Sequence, residues 1–507
     1  MKKHPPSKWL TLAAACFGLL MLYLDLFIIN VALPTIGQDF HAPISQVSWT
    51  ISGYVLMIGV LPMGIGRLGD LWGQRAVYLA GLAIFCTASL ACGLAPTVTA
   101  LIVFRVVQGI GAAIMTPGTL AIIVRAFPPS QHGLAIGING GVSGLGLVAG
   151  PVLGGLLIQG ASWRWIFLVN VPLGIVALTM TILFVPESRE ENASVPIDWP
   201  GLALLSLGLL CLLFGFTRAG SEGWINGVVM GSCVSGIVLL TLFVIIERRV
   251  RWPLIDLALF RNRPFVTGCL SFFLYSAALF GSQPYWSLFM QNTWGFSPLQ
   301  GGLGFVPATG LIVLLTPVAG VLAQRAKARR DVLLVGGLLL SGVGFLFVAL
   351  TLRPQSTYSN GLLPAFLMRG LALPVVTSCA TLAVVSAVSS KQSGLASGTL
   401  AMARNIGTAF GVAVLSQVYL FHVNTTLSAS LAASRAAADQ FLLSAKGGNA
   451  LVVETSIFQG FRLTALACAL LCGGAVILVF FMRIQARNKE SATAAQEEEP
   501  RLLSLSE

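Results

Sequence analysis

The sequence predicts an all-α polytopic membrane protein: fourteen transmembrane helices, arranged as two six-helix bundles plus two inserted helices. Three observations predict it. The 507 residues are 56% hydrophobic and only 9% charged, with a mean hydropathy of +0.86, whereas about a quarter of a soluble domain is charged. The apolar residues form runs long enough to cross about 30 Å of hydrocarbon, without the alternating polarity of the roughly ten-residue strands of a membrane barrel. The thirty basic residues lie almost entirely in the short segments between those runs.

In order, the runs fall near 9–33, 46–65, 76–95, 98–124, 132–157, 164–185, 198–216, 227–246, 265–290, 301–323, 331–352, 359–387, 396–420 and 462–482. The first begins with MKKHPPSKWLTLAAAC, which imitates a signal peptide with a lipoprotein-like cleavage site. Its apolar core continues to Pro34, too long for a signal core, so it reads as a spanning helix. The fifth contains GINGGVSGLGLVAGPVLGG, with Gly137, Gly146, Gly150, Pro151, Gly154 and Gly155. In a bilayer, close backbone packing must replace the missing hydrophobic drive, and glycine permits it. At about 100° per residue, Gly146, Gly150 and Gly154 share one stripe, and Gly133, Gly137, Gly141 and Gly144 the opposite one. Two different neighbours should therefore press this helix in its two halves.

If the N-terminus is cytoplasmic, 21 of the 30 basic residues lie in inner segments and six in outer ones, leaving Arg105, Arg369 and Arg404 within spans. Both ends of a multi-pass protein of the cell (inner, cytoplasmic) membrane are then expected in the cytoplasm. The net charge of +12 is a topology signal that favours anionic lipid, not a nucleic-acid footprint, because no basic stripe with interleaved aromatics exists. A weak internal repeat joins GRLGDLWGQR (66–75) to GVLAQRAKAR (320–329), and FRVVQGIGAAIMTPGTLAII to MRGLALPVVTSCATLAVV, where Arg105 answers to Arg369. It sets 1–190 as an N-terminal six-helix bundle against 265–485, leaving 191–264 as an inserted pair of helices followed by a basic cytoplasmic loop. Two parallel halves around a midplane site form a transporter architecture. Residues 421–461 are expected as a long outer loop and 486–507 as a disordered tail.

Of eighteen acidic residues, only Asp25 sits well inside a span. An intramembrane carboxyl costs a few kcal/mol on insertion scales, which marks it as a functional candidate. Arg105, with Gln108 one turn later, is its natural partner; Arg404 with Asn405 and Arg369 are further intramembrane candidates. Asp70, with Arg67, Arg75 or Arg125 nearby, can form a polar clasp beside a helix N-terminus. Gly144-x-Gly146-x-x-Ala149 imitates a dinucleotide fingerprint, but no strand precedes it. The nine cysteines lie in apolar runs and the four histidines are scattered, so neither a metal site nor a cofactor site is expected.

With these residues assembled, the chain resembles the major facilitator superfamily, specifically its fourteen-helix drug:proton antiporter branch. GRLGDLWGQR resembles the superfamily loop signature, with Gly66, Asp70, Gly73 and Arg75 in place, and departs from it at Leu71 and Gln74. LDLFIINVALP, carrying Asp25 and Asn30, resembles the branch's first-helix signature; FRVVQGIGAA resembles the fourth-helix signature linked to proton transfer. The Gly137–Gly155 stretch resembles the fifth-helix antiporter signature, and WRWIFLVNVPLG and ASGTLAMARNIGTAFGVAVL resemble this branch as well.

The resemblance implies a proton-coupled exporter of lipophilic drugs or toxic small molecules, a multidrug efflux protein working by alternating access. Its energy source would be the proton gradient, with no cofactor and no catalytic residue. Asp25, Arg105 and Gln108 would couple protons. Asn30, Phe273, Gln283, Tyr285, Trp286, Arg404 and Asn405 would line the cargo cavity. Gly66, Asp70, Gly73, Arg75, Arg125 and the fifth-helix glycines with Pro151 would serve the conformational switch. The absence of acids from the ninth and tenth runs favours neutral, weakly acidic or amphipathic cargo over strongly cationic cargo. A monomer is expected, and no feature identifies a periplasmic adaptor. A dedicated exporter or importer of one metabolite or antibiotic, and a transporter-like sensor or scaffold, stand as alternatives.

Overall fold

The computed structural model describes residues 7–42, 44–47, 49–187, 198–250, 257–296, 298–326, 329–388, 393–431 and 450–503. The long helices are α1 (Lys8–Asp39), α2 (Trp49–Val60), α3 (Pro62–Trp72), α4 (Gln74–Gly93), α5 (Val98–Ala126), α6 (His132–Gly160), α7 (Asn170–Phe184), α8 (Trp199–Glu222) and α9 (Gly227–Glu247). They continue with α10 (Arg263–Leu279), α11 (Gln283–Trp294), α12 (Val306–Arg325), α13 (Arg330–Thr351), α14 (Leu363–Ser386), α15 (Ser393–Leu431) and α16 (Ala450–Leu503). No strand occurs among the described residues.

Twelve helical stretches among the described residues are long and apolar enough to cross a membrane. Each coincides with one of the expected runs. The other two expected runs fall on α2 with α3, and on α6. The chain between Val60 and Pro62 breaks the second run, because Pro62 brings no N–H to continue the ladder.

The helices assemble as two halves, with Leu56 and Val60 of α2 and Ile136 of α6 joining the core of the second. In the first, α1 packs on α5, α6 and α7, and α5 packs on α2 and α4. In the second, α10 packs on α14, α15 and α16, while α13 packs on α14 and α16. The halves meet where α6 lies on α12 and where α3 and α5 lie on α15; α8 covers the seam between α2 and α15. Leu156, Ile175, Ile237, Leu314, Leu350, Leu470 and Ile477 are exposed on the outside. An apolar coat of that extent is stable only against lipid.

Three expectations change. The polar stretch 66–75 is not a loop: α3 runs to Trp72 and only Gly73, at φ 99°, turns the chain into α4. A side chain is strained in that left-handed region, which accounts for the glycine. Asp70 therefore belongs to the last turns of α3, not to a turn before a helix. The outer loop is shorter than 421–461, since α15 reaches Leu431 and α16 begins at Ala450. The tail is helical to Leu503, in keeping with the helix formers of ARNKESATAAQEEE.

Candidate functional site

Asp25 and Arg105 meet in the middle of the first half, both completely buried. Arg105 Nη1 donates to Asp25 Oδ2 at 2.5 Å and to Gln108 Oε1 at 2.8 Å, and its Nε donates to the Thr50 carbonyl at 2.9 Å. The guanidinium lies over the Tyr54 ring, 4.1 Å from its centre. Gln108 Nε2 and Asn170 Nδ2 donate to Asp25 Oδ1 at 2.9 and 2.8 Å. Both amides also donate to the Ser89 hydroxyl, which donates onward to the Phe167 carbonyl. One carboxylate thus receives three N–H groups from two other helices. A buried charge pair recovers its desolvation cost only with such supplementary bonds.

Small residues let the helices come this close. A methyl at Gly109 would sit 2.8 Å from the Tyr54 carbonyl, and one at Gly111 2.6 Å from the Phe85 amide. Glycine at both positions brings α2 and α4 onto α5, and with them Tyr54 and Ser89. Arg105 Nη2, Asn170 Oδ1 and Tyr54 Oη have no partner among the described residues. The network is therefore open at three atoms, and buried polar groups left open are costly unless something else meets them.

Between the halves lies a cavity of about 190 Å³. Leu19, Tyr23 and Phe27 of α1, Asn139 and Ser143 of α6, Phe272 of α10, Ser378 of α14 and Arg404 of α15 are among its walls. Asp25 is not. It points from α1 into the first half, while Tyr23 and Phe27 on the same helix face the cavity. Arg404 Nη1 donates to the Tyr23 hydroxyl, and Asn405 Nδ2 donates to the Ile58 carbonyl at 2.7 Å, so α15 is tied to α1 and α2 across the seam.

The two glycine stripes of α6 meet two different partners. Methyls at Gly146 and Gly150 would lie 2.7 Å from Tyr23 Cβ and 2.9 Å from Phe27 Cβ, both on α1. A methyl at Gly137 would lie 2.6 Å from Pro317 Cα, and one at Gly133 would run into the Gly320 carbonyl, both on α12. Gly154 packs on Ile28, whereas Gly155 faces open space. Beside this contact Gln324 Nε2 donates to the Pro129 carbonyl at 2.8 Å, closing the seam at the face that carries Lys8 and Arg75.

The remaining expected residues are dispersed. Phe273 lies tilted against Phe410, Tyr285 donates to the Val412 carbonyl, and Trp286 is sealed inside the second half. None of these, nor Gln283 or Asn405, is among the described residues lining the cavity; from this region Phe272 of α10 and Phe280, just beyond its end, line it. For Gln283, Tyr285 and Trp286 the turn at Phe280–Ser282 separates their helix, α11, from α10. Arg75 donates to the Ile182 carbonyl at 2.7 Å, and Arg125 is half-buried near the end of α5. Asn30, Gly66, Asp70 and Pro151 lie in these helices, but their side chains and surroundings fall outside the described residues. Arg369, the repeat partner of Arg105, has no acid beside it among the described residues; it sits over Trp286 at 4.5 Å and Phe345 at 5.0 Å. Sequence reasoning overlooked Asn170, Ser89, Thr50 and Tyr54. For Asn170 the signal was present, because it is the one amide in the run 164–185.

The family model described as Major Facilitator Superfamily matches residues 15–412 and again 268–506. The chain belongs to that superfamily. Within the superfamily it is 35% identical over 412 residues to the tetracenomycin C resistance and export protein of Streptomyces glaucescens, covering 80% of this chain and 75% of that protein. It is 33% identical over 426 residues to the multidrug resistance protein Stp of Mycobacterium tuberculosis, covering 84% and 78%. Among solved structures, the human organic anion transporter MFSD10 (TETRAN) superposes with a TM-score of 0.59 at 17% identity, over 92% of this chain and all of that one. That likeness establishes the shared fold.

Proposed function

We propose that this superfamily member is a proton-coupled exporter of lipophilic small molecules, an antiporter that exchanges cargo for protons by alternating access. The observation that carries the reading is the buried carboxylate of Asp25, met by Arg105, Gln108 and Asn170. Protonating Asp25 Oδ2 would set an O–H against the Nη1–H that it now accepts, donor against donor. The pair must then part and α1 must shift against α5. Tyr23 and Phe27 carry such a shift to α6 and to Arg404, so proton and cargo act on one helix from its two sides.

The resistance and export proteins among the relatives support the direction of transport. On this reading all fourteen runs span the cell membrane, both ends are cytoplasmic, the protein acts as a monomer without cofactor, and the seam closed by α6 and α12 is the cytoplasmic gate. In vesicles of known orientation, Asp25→Asn is expected to abolish efflux driven by a proton gradient while remaining folded and inserted. Unchanged efflux would remove Asp25 from the mechanism. A second reading, dedicated export of a single antibiotic, is favoured by the relative named for tetracenomycin C alone; a broad panel of dyes and drugs in the same vesicles separates the two.

A further inference from the structure

We propose that Arg404 makes the central cavity selective for lipophilic molecules bearing an anionic oxygen, a carboxylate or an ionised phenol, which bind by taking Arg404 from Tyr23. This rests on the cavity being the cargo site.

Charge is the first argument. Arg404 is the one charged side chain among the described residues that line the cavity. Its hydrogen-bond partners there are neutral, the Tyr23 hydroxyl and Asn405 Oδ1 at 3.3 Å, and no carboxylate pairs with it among the described residues. Of the other two intramembrane arginines, Arg105 pairs with Asp25, and Arg369 lies against ring faces inside the second half, away from the cavity, with its Nε and Nη1 without a partner among the described residues. An arginine at membrane depth needs an anion, a carbonyl or water. Arg404 has no such anion from the described residues and lines the cavity.

Donors are the second argument. Thr116, Thr119, Ser143, Thr316 and Thr377 line the cavity, yet each gives its hydroxyl hydrogen to a carbonyl one turn back in its own helix. They offer acceptor lone pairs only. Ser378 differs: it lines the same cavity, is 98% buried by its 2% relative exposure, and its hydroxyl has no partner. Arg404 and Ser378 thus bring hydrogen-bond donors to the cavity wall, beside the amide of Asn139 and the five hydroxyls already committed to carbonyls.

Size makes binding and opening one event. About 190 Å³ is below the roughly 300–1,000 Å³ of sites for drug-sized molecules, so cargo must part the halves to enter. The Tyr23–Arg404 bond spans the seam it must open. A bond from guanidinium to an anion is roughly twice as strong as one to a neutral oxygen, and a carboxylate matches both prongs of the fork. An acidic cargo therefore replaces the bond that it breaks, whereas a neutral ester or a cation leaves Arg404 unpaired.

The test is equilibrium binding to the purified full-length protein in lipid nanodiscs, with three fluorescent probes on one frame: anthracene-9-carboxylate, its methyl ester, and (9-anthrylmethyl)trimethylammonium. Without a proton gradient, the result is independent of whether transport is proton-coupled. The carboxylate is expected to bind at least tenfold more tightly than the ester, with the ammonium weakest. Arg404→Gln should lower the carboxylate-to-ester ratio at least tenfold. Tyr23→Phe, which removes the competing hydroxyl, should tighten carboxylate binding several-fold. Equal binding of the three probes, no binding of the carboxylate, preference for the ammonium, or an unchanged ratio in a monodisperse Arg404→Gln protein would each overturn the inference. If Arg404→Gln does not fold, the wild-type probe series and Tyr23→Phe decide it. Loss of proton coupling with intact acid preference would strike only the transport reading.

Discussion

At the scale of single residues, Asp25 and Arg105 are bound so closely that neither can be removed alone without exposing the other to an apolar interior. Truncating one member of a buried pair costs about 3–5 kcal/mol, so Arg105→Ala should lower the thermal stability of the purified protein far more than any surface arginine change. Asn170→Ala removes one of the three donors to Asp25 and one of those to Ser89. We expect it to cost roughly 1–3 kcal/mol and to weaken coupling, read as fewer protons moved per cargo. At the opposite end of α1, Asp39 accepts from Trp163 Nε1 at 3.0 Å and Arg164 Nη1 at 2.9 Å. These donors hold its carboxyl below the usual carboxylate range. A lowered value means that the contribution is present above the unfolded value, about 3.9, and is lost as pH falls through the folded one. The pair is half exposed, so Asp39→Asn should cost no more than about 1 kcal/mol at neutral pH. Melting curves of the two proteins should converge in strong acid.

At the scale of helices, α6 is the element that belongs to both halves. Its Gly146–Gly154 stripe is fixed to α1, and its Gly133–Gly144 stripe touches α12 through backbone atoms. Gly137→Leu must collide with Pro317 and the Thr316 carbonyl, so the seam should no longer close on that side. Transport is expected to fall at least tenfold in a protein that still inserts. Normal coupled transport by that variant would return the stripe to ordinary packing. Much of this was legible in the sequence, because apolar runs of bilayer length and glycines repeating every four residues are properties of the chain alone. The Asp25–Arg105 pairing was legible only as rarity: one acid within a span invites the nearest buried base. Asn170 and Ser89 were hidden, since neutral polar residues are common in spans and nothing linear brings positions 25, 89, 108 and 170 together. Tyr285 and Trp286 lie away from the cavity for a different reason. The turn at Phe280–Ser282 separates their helix, α11, from α10 and interrupts the helical period. Polar residues at 66–75 suggested a loop, but a helix end that emerges from a membrane is equally polar.

At the scale of the whole molecule, the two halves are unequal copies. One buries Arg105 with a carboxylate; the other buries Arg369 under Trp286, Phe345 and Phe366. On the proposed function the proton chemistry would be confined to the first half, and the second would contribute Pro317 and Gly320 to the gate; it does contribute Arg404 to the cavity wall. α1 joins these functions, with Asp25 on one side and Tyr23 and Phe27 on the other. On the proposed function, cargo and proton communicate through that helix. The direct measurement is proton release into weakly buffered solution when transported cargo is added to the purified protein. The wild type should release protons on cargo addition and the folded Asp25→Asn protein should release none. Equal release from both would contradict the account.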